Sequence, residues 1–185
     1  MKVKNKSQEN NFRTGLVGVC KLHFILIALF LVQIILYDAS KLITPDVVLQ
    51  RWFAVALLLV VTGVSWYFVK SKSGTPFLYK SLLTTLIVSD IALASFFVYS
   101  TRGMASRAVL LYVIPIIITG LLFSRAALLA TAILCIAAYS LTTVSYFVLN
   151  FNEGYKVELY GEVGFYSVSF LIVAGLIAEI LHPRK

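Results

Sequence analysis

Asp90 is the residue whose type and position point most directly to chemistry. It lies nine residues from either end of the apolar run Ser81–Tyr99, and so near the middle of a helix long enough to cross a bilayer. A charged carboxylate at that depth costs about 2.5–3.5 kcal/mol on insertion scales. We therefore expect Asp90 to face the protein interior and to be protonated or hydrogen-bonded.

Hydroxyl groups at a similar depth in other apolar runs are the candidate partners of this acid. They are Thr62, Thr119, Ser167 and Ser169. A polar site of this kind can take up a proton or an ion, or respond to a signal. An equally weighted alternative is a structural acid that fixes helix register, because no second acid, Lys or Arg is expected at the same depth.

Two further features are candidates for a functional role. Pro115 interrupts the run Ala108–Phe123 and removes the hydrogen bond to the Leu111 carbonyl, which predicts a kink that is either a fixed bend or a hinge. An aromatic cap over the outer end of the protein is predicted from three rings in the loop between spans five and six. These rings are Phe151, Tyr155 and Tyr160.

The composition indicates an all-α membrane protein. Of the 185 residues, 60% are hydrophobic and 13% are charged, and the mean hydropathy is +0.92. A soluble domain of this size cannot bury so much apolar surface. The apolar runs do not alternate as the strands of a membrane β-barrel do, so helices are expected. The net charge of +8 lies in short flanks between the runs, which argues against nucleic-acid binding.

The apolar runs predict a compact bundle of six transmembrane helices within residues 15–182. A basic tail, residues 1–14, is expected to be disordered and cytoplasmic, and residues 183–185 form a short cytoplasmic end. The predicted spans are about 16–37, 47–69, 81–99, 108–123, 126–149 and 163–181.

The distribution of basic residues predicts that both termini are cytoplasmic. Eleven of the sixteen Lys and Arg residues fall in the segments that this orientation places inside, as the positive-inside rule requires. The other five are Lys41, Arg51, Arg102, Arg107 and Lys156.

A cysteine-labelling experiment tests this orientation. A cysteine introduced at Asn152 is expected to react with a membrane-impermeant reagent in intact cells, and one at Ser73 only after the membrane is opened. The reverse pattern of labelling would show the opposite topology.

The sequence contains none of the residue constellations typical of catalysis, so we expect a protein that is not an enzyme. It has no HExxH pair, no aspartate dyad, no serine with a positioned histidine and no glycine-rich phosphate loop. We expect no cofactor and no metal, although His23 and His182 at one face would suit axial haem ligation. The expected partners are membrane lipid and a protein partner or a second copy of the chain, and the small-molecule ligand is unknown.

The central stretch resembles the membrane-sensor region of bacterial sensor histidine kinases of the type IV pilus regulator kind. The resemblance lies in four short motifs: Ser89–Ile91, Phe97–Gly103, Leu111–Pro115 and Gly120–Leu122. That family has an Asp in its third span, a Thr-Gly-Gly-type turn, a Leu-Tyr-x-x-Pro helix and an alanine-rich fifth span. The resemblance implies a sensory module of a two-component system in the bacterial inner membrane.

The chain departs from that family in two ways. Arg102 stands where the family usually has Gly. The family continues after its sixth span into cytoplasmic sensing and phosphotransfer domains, whereas this chain ends at Lys185. The resemblance therefore implies a sensing or partner-binding membrane module without a kinase.

Two other classes of membrane protein remain open on the sequence. One is the substrate-binding subunit of an importer of the energy-coupling-factor kind, which is also a small, basic, six-span chain. Such subunits are expected to show an Ala-x-x-x-Ala face in span one, and Leu22–Tyr37 lacks it. The other is a structural subunit of a larger membrane complex.

Overall fold

Apolar helices make up most of the structure, a computed structural model that describes residues 2–40, 44–71, 74–150 and 156–181, with side chains from Phe12 onward. Two short 3₁₀ segments, Gly103–Ala105 and Arg107–Tyr112, join α3 to α4. The α-helices are α1 (Lys2–Ala39), α2 (Pro45–Ser71), α3 (Pro76–Ser100), α4 (Val113–Leu122), α5 (Arg125–Asn150) and α6 (Lys156–Leu181).

The predicted all-α membrane architecture is confirmed. Five helices are long and apolar enough to cross a membrane, and the sixth span is the shorter apolar segment Arg107–Leu122. The described residues contain no strand. Many large apolar side chains lie on the outer surface, among them Phe53 at 74% and Leu141 at 71% exposure. Lipid is the solvent in which such a surface is stable.

Helix starts follow local sequence signals. Pro45 and Pro76 are the first residues of α2 and α3, where the missing N–H of proline costs nothing and its fixed φ suits a helix. The Thr75 hydroxyl accepts a hydrogen bond from the Leu78 amide at 3.3 Å, and the Ser124 hydroxyl accepts one from Ala127 at 3.4 Å. These two side chains cap α3 and α5.

Two boundaries differ from the sequence-based expectation. The backbone is helical from Lys2, where a disordered tail was expected, and this helix continues directly into the first span. Helix α6 begins at Lys156 rather than near Val163, and the predicted loop Asn150–Glu162 is correspondingly shorter. Glu158 lies in the first turn of α6, where a carboxylate interacts favourably with the helix dipole.

The chain divides into two compact units, and the boundary falls inside α3. The N-terminal unit is Met1–Ser89 and the C-terminal unit is Asp90–Lys185. In the N-terminal unit α1 packs along α2. Phe24 meets Trp66 edge to face with ring centroids 5.9 Å apart, and the buried Arg51 guanidinium lies 5.4 Å from the centre of the Tyr37 ring. Aromatic and cation–π contacts thus hold the two helices together.

In the C-terminal unit, helices α4, α5 and α6 pack against one another, and the first 3₁₀ segment contacts α5 and α6. Small residues are buried inside this unit: Ala132, Ala174 and Ala178. Small side chains let helix backbones approach closely in lipid, where van der Waals packing replaces the hydrophobic effect between helices. This packing positions the polar groups described next.

Candidate functional site

Asp90 lies on the buried side of α3, at the start of the C-terminal unit. Its side chain is 3% exposed, and it interacts electrostatically with the thiol of Cys135 on α5. Ala94, one turn further along α3, is fully buried. Its small side chain allows close packing on this side of α3. The expected inward orientation of Asp90 is what the structure shows.

Ser95 connects α3 to the segment that precedes α4. Its hydroxyl donates to the Ile91 carbonyl at 2.9 Å and lies 2.7 Å from the hydroxyl of Tyr112. A serine has one hydroxyl proton, and Ser95 donates it to the Ile91 carbonyl. The Tyr112 O–H is therefore the donor in the hydrogen bond to Ser95. Tyr112 is therefore a neutral phenol that links the two segments.

Tyr112 also binds α5 at two points. The Tyr112 ring packs against the ring of Tyr139 on this helix. The Cys135 thiol donates to the Tyr112 carbonyl, with sulfur and oxygen 3.6 Å apart. Side chain and backbone of one residue thus contact the same face of α5, within reach of Asp90.

Aromatic rings extend these contacts to α6. The Tyr112 ring is 6.0 Å from Tyr139 in a T-shaped arrangement and 5.8 Å from Phe170. The Tyr139 ring in turn lies 5.4 Å from Tyr166. Such pairs add about 0.5–1.5 kcal/mol each beyond their buried area. We refer to the following residues as the Tyr112 cluster: Asp90, Ser95, Tyr112, Cys135, Tyr139 and Phe170.

The turn after α3 sets the position of Tyr112. Thr101 and Ser106 hydrogen-bond through their hydroxyls, and the Ser106 hydroxyl caps the second 3₁₀ segment by accepting from the Ala108 amide at 3.1 Å. Arg102 and Gly103 both have positive φ, 75° and 58°. These two left-handed residues reverse the direction of the chain. The second 3₁₀ segment therefore lies alongside α3 and α5.

Pro115, the candidate hinge, lies in the first turn of α4, directly after the 3₁₀ segment changes to an α-helix. Proline is tolerated in a first helical turn because the amide there has no intrahelical partner. The structure thus places Pro115 at a junction between two helix types, and hinge motion at this junction stays a prediction.

Three of the four hydroxyls named as candidate partners of Asp90 donate to carbonyls of their own helices. Thr119 donates to the Pro115 carbonyl at 2.8 Å and lies 3.2 Å from the Thr131 hydroxyl. Ser169, which is only partly buried, donates to the Phe165 carbonyl at 2.8 Å. Both hydroxyls therefore donate their protons to carbonyls of their own helices. Ser167 likewise donates to Val163, and Thr62 is buried in the N-terminal unit.

The predicted aromatic cap falls largely outside the described residues, which include neither Phe151 nor Tyr155. Tyr160 is described, and its predicted position in a loop is wrong. It belongs to α6 and is 68% exposed, because that helix begins before it. Its ring faces outward like other aromatic residues at the ends of membrane helices.

One ion pair and one of the two histidines considered for haem ligation are found among the described residues. An ion pair between Arg125 and Glu179 at one face joins their side chains at 3.8 Å, and both are partly exposed, so it adds little stability. Nδ1 of His23 donates to the Val19 carbonyl at 2.9 Å, and His182 lies outside the described residues. Among the residues described, no three potential metal ligands come together.

Sequence reasoning missed the cluster members other than Asp90. Ser95 follows Asp90 by five residues, and Tyr112 belongs to the Leu-Tyr-x-x-Pro motif, so both carried a signal. Cys135 and Tyr139 carried none beyond being polar in an apolar helix. The assembled cluster offers hydroxyls, a thiol and one carboxyl group, which can exchange a proton or rearrange hydrogen bonds between α3 and α5.

Comparison with known proteins assigns this arrangement to a described family. A family model for the PilS-like transmembrane domain matches residues 4–182, which is nearly the whole chain. No curated protein and no solved structure matches the chain. The family match confirms the resemblance inferred from the central motifs and extends it over all six helices.

Proposed function

The chain belongs to the family of PilS-like transmembrane domains, and on that premise we propose that it is the sensory, partner-binding input module of a bacterial two-component system. It would lie in the inner membrane with both termini cytoplasmic. It would act without catalysis of its own, by passing a change in helix packing to a protein partner. The two-component kinase or its regulator is the partner that this family assignment favours.

The observation that carries the proposal is the Tyr112 cluster around Asp90. An ionisable residue deep inside a membrane bundle is by default a functional candidate. Here its helix, α3, is tied to α5 and α6 through hydrogen bonds and rings that all converge on Tyr112. A change in the protonation or hydrogen bonding of Asp90 would alter how α3 meets α5, and a packed interface of this kind changes between discrete arrangements.

Replacement of the Asp90 carboxyl group tests this role. We expect Asp90→Asn to fold, with a change of no more than about 1 kcal/mol in stability, the size measured for hydrogen bonds inside membranes. We also expect it to lose the response of partner output to pH or cations, since an amide cannot ionise. Thermal unfolding in detergent and a phosphorylation assay on the partner measure the two quantities.

Asp46→Asn is the matched control, since Asp46 is an exposed acid in the first turn of α2. It should leave partner output unchanged and lower stability by about 0.3–1 kcal/mol at most, the contribution of a carboxylate at a helix N-terminus. Asp90→Leu is the harsher variant, because it removes hydrogen bonding altogether. An Asn variant that unfolds, or one that signals as the original chain does, would make Asp90 a structural residue.

Co-purification from membranes tests the class of partner. Recovery of a sensor kinase or response regulator supports the proposal, whereas an ATPase pair with its coupling protein would make the chain an importer subunit. A large assembly would make it a structural subunit. Because we propose no catalysis, the purified chain free of partners should not autophosphorylate from ATP, and phosphate incorporation would contradict this part of the proposal.

A further inference from the structure

A second polar site lies in the N-terminal unit, at the end of the α1–α2 pair where α1 enters its apolar stretch and α2 ends. A groove of about 270 Å³ opens there between the two helices. Its lining residues come from both helices: Arg13, Val17, Trp66, Val69 and Lys70. The groove combines two cationic side chains with an apolar wall.

The geometry of Arg13 prepares this groove for an anion. Its Nε donates to the Val69 carbonyl at 3.2 Å, which satisfies a backbone oxygen that the end of α2 would otherwise leave without a partner. A guanidinium has five N–H donors in a fixed fork, and this bond uses one of them. The bond therefore holds the guanidinium at the groove that Arg13 lines, and it leaves four N–H donors that it does not use.

The two charged residues that line the groove are both basic. Lys70 is exposed on the last turn of α2, and no ion pair to Arg13 or Lys70 occurs among the described residues. In the sequence, Glu9 is the only acidic residue from Met1 to Tyr37, and none occurs from Val47 to Lys80. Basic residues at a membrane surface attract anionic lipids by about 1 kcal/mol each.

The apolar wall distinguishes an amphiphile from a small soluble anion. Trp66 is fixed by its edge-to-face contact with Phe24, and it lines the groove together with Val17 and Val69. A free phosphate would use only the two cations, whereas a phospholipid would also cover the tryptophan and valine surface with its glycerol and first acyl carbons. Tryptophan is the residue most typical of this depth in the bilayer.

We propose that this groove is a binding site for the headgroup of an anionic phospholipid. The phosphate lies between Arg13 and Lys70, and the glycerol and acyl carbons lie against Val17 and Trp66. The lipid bridges the start of α1 and the end of α2, so it fastens the N-terminal helix pair at the membrane surface. This site is separate from the Tyr112 cluster and does not depend on the function proposed for that cluster.

Lipid titration of the full chain tests the proposal. The purified protein in an uncharged detergent is titrated with phosphatidylglycerol, phosphatidylcholine and inorganic phosphate, and bound lipid is counted by native mass spectrometry. We expect phosphatidylglycerol to bind more tightly than phosphatidylcholine and inorganic phosphate to compete poorly. Lys70→Gln should weaken phosphatidylglycerol binding about fivefold, the effect of one interfacial charge.

Lys80→Gln is the matched control, since Lys80 is an exposed lysine of the same unit that does not line the groove. It should bind phosphatidylglycerol as the unmodified chain does. Equal binding of the two lipids, equal weakening by Lys70→Gln and Lys80→Gln, or unchanged binding in Lys70→Gln would each overturn the proposal. Competition by inorganic phosphate as effective as that by the lipid would make the groove a phosphate site and overturn the lipid assignment.

Discussion

Tyr112→Ala is expected to destabilise the protein by about 2–3 kcal/mol. Tyr112 is fully buried, and its removal leaves a cavity of about 100 Å³, which costs about 24 cal/mol per Å³. In a soluble protein the loss of hydrophobic transfer energy would add to this cost. In a bilayer the unfolded reference state is itself in lipid, so the cavity accounts for most of the lost stability.

Two further variants show whether the ring or the hydroxyl of Tyr112 is responsible. Tyr112→Phe keeps the ring and loses the hydrogen bond to Ser95, so a cost of about 0.6 kcal/mol is expected, the average for such a bond in membranes. Tyr160→Ala removes the same atoms from an exposed position and should be close to neutral. Unfolding in detergent with a chemical denaturant measures all three.

The order of these three effects is what tests the central position of Tyr112. If Tyr112→Ala were as mild as Tyr160→Ala, the rings of Tyr139 and Phe170 would not depend on it, and the cluster would not join α5 to α6. If Tyr112→Phe were as harmful as Tyr112→Ala, the hydroxyl would dominate the stability of the cluster and the ring packing would be secondary.

The helices and the burial of Asp90 could be predicted from the sequence because lipid simplifies the problem. Without water, every spanning segment must satisfy its own backbone, so a long apolar run has one available structure. The same reasoning required an isolated acid to face the protein interior. Both expectations used only the hydropathy and length of each run.

The partners of Asp90 could not be predicted in this way, because depth in the membrane does not determine which side of a helix faces a neighbour. Thr119 and Ser169 were chosen by depth, yet each donates to a carbonyl on its own helix. Cys135 and Tyr112 approach Asp90 and Ser95 because a 3₁₀ segment changes the rotation of the chain before α4. A hydropathy pattern gives no information about that rotation, whereas the residue types at positions 102 and 103 give part of this information.

The start of α6 was misplaced for a related reason. Residues from Lys156 to Glu162 are polar enough to resemble a loop, but they form the first turns of a helix that extends beyond the apolar core. Polar side chains satisfy the ends of membrane helices at the headgroup region. A hydropathy pattern therefore locates the apolar part of a helix and underestimates its length.

Gly103→Ala is the second variant expected to have a large effect, with a loss of about 2–5 kcal/mol in stability. Gly103 has a φ of 58°, which costs a residue with a side chain about 1–2 kcal/mol. A Cβ at this position would also lie 2.7 Å from a ring carbon of Tyr146, and overpacking of this kind adds about 1–3 kcal/mol. The Tyr146 ring is held by Tyr99, 5.6 Å away in a T-shaped contact, so it cannot move aside freely.

A substitution at the neighbouring position is expected to have the opposite effect on stability. Arg102 has a φ of 75°, so Arg102→Gly relieves left-handed strain and is expected to raise stability by about 1 kcal/mol. Gly175→Ala is the control within α6, since an added Cβ there meets nothing within 4 Å, and it should be neutral or stabilising. Thermal unfolding in detergent ranks the three variants, and a Gly103→Ala protein as stable as Gly175→Ala would show that the turn does not need its left-handed pair to place Tyr112.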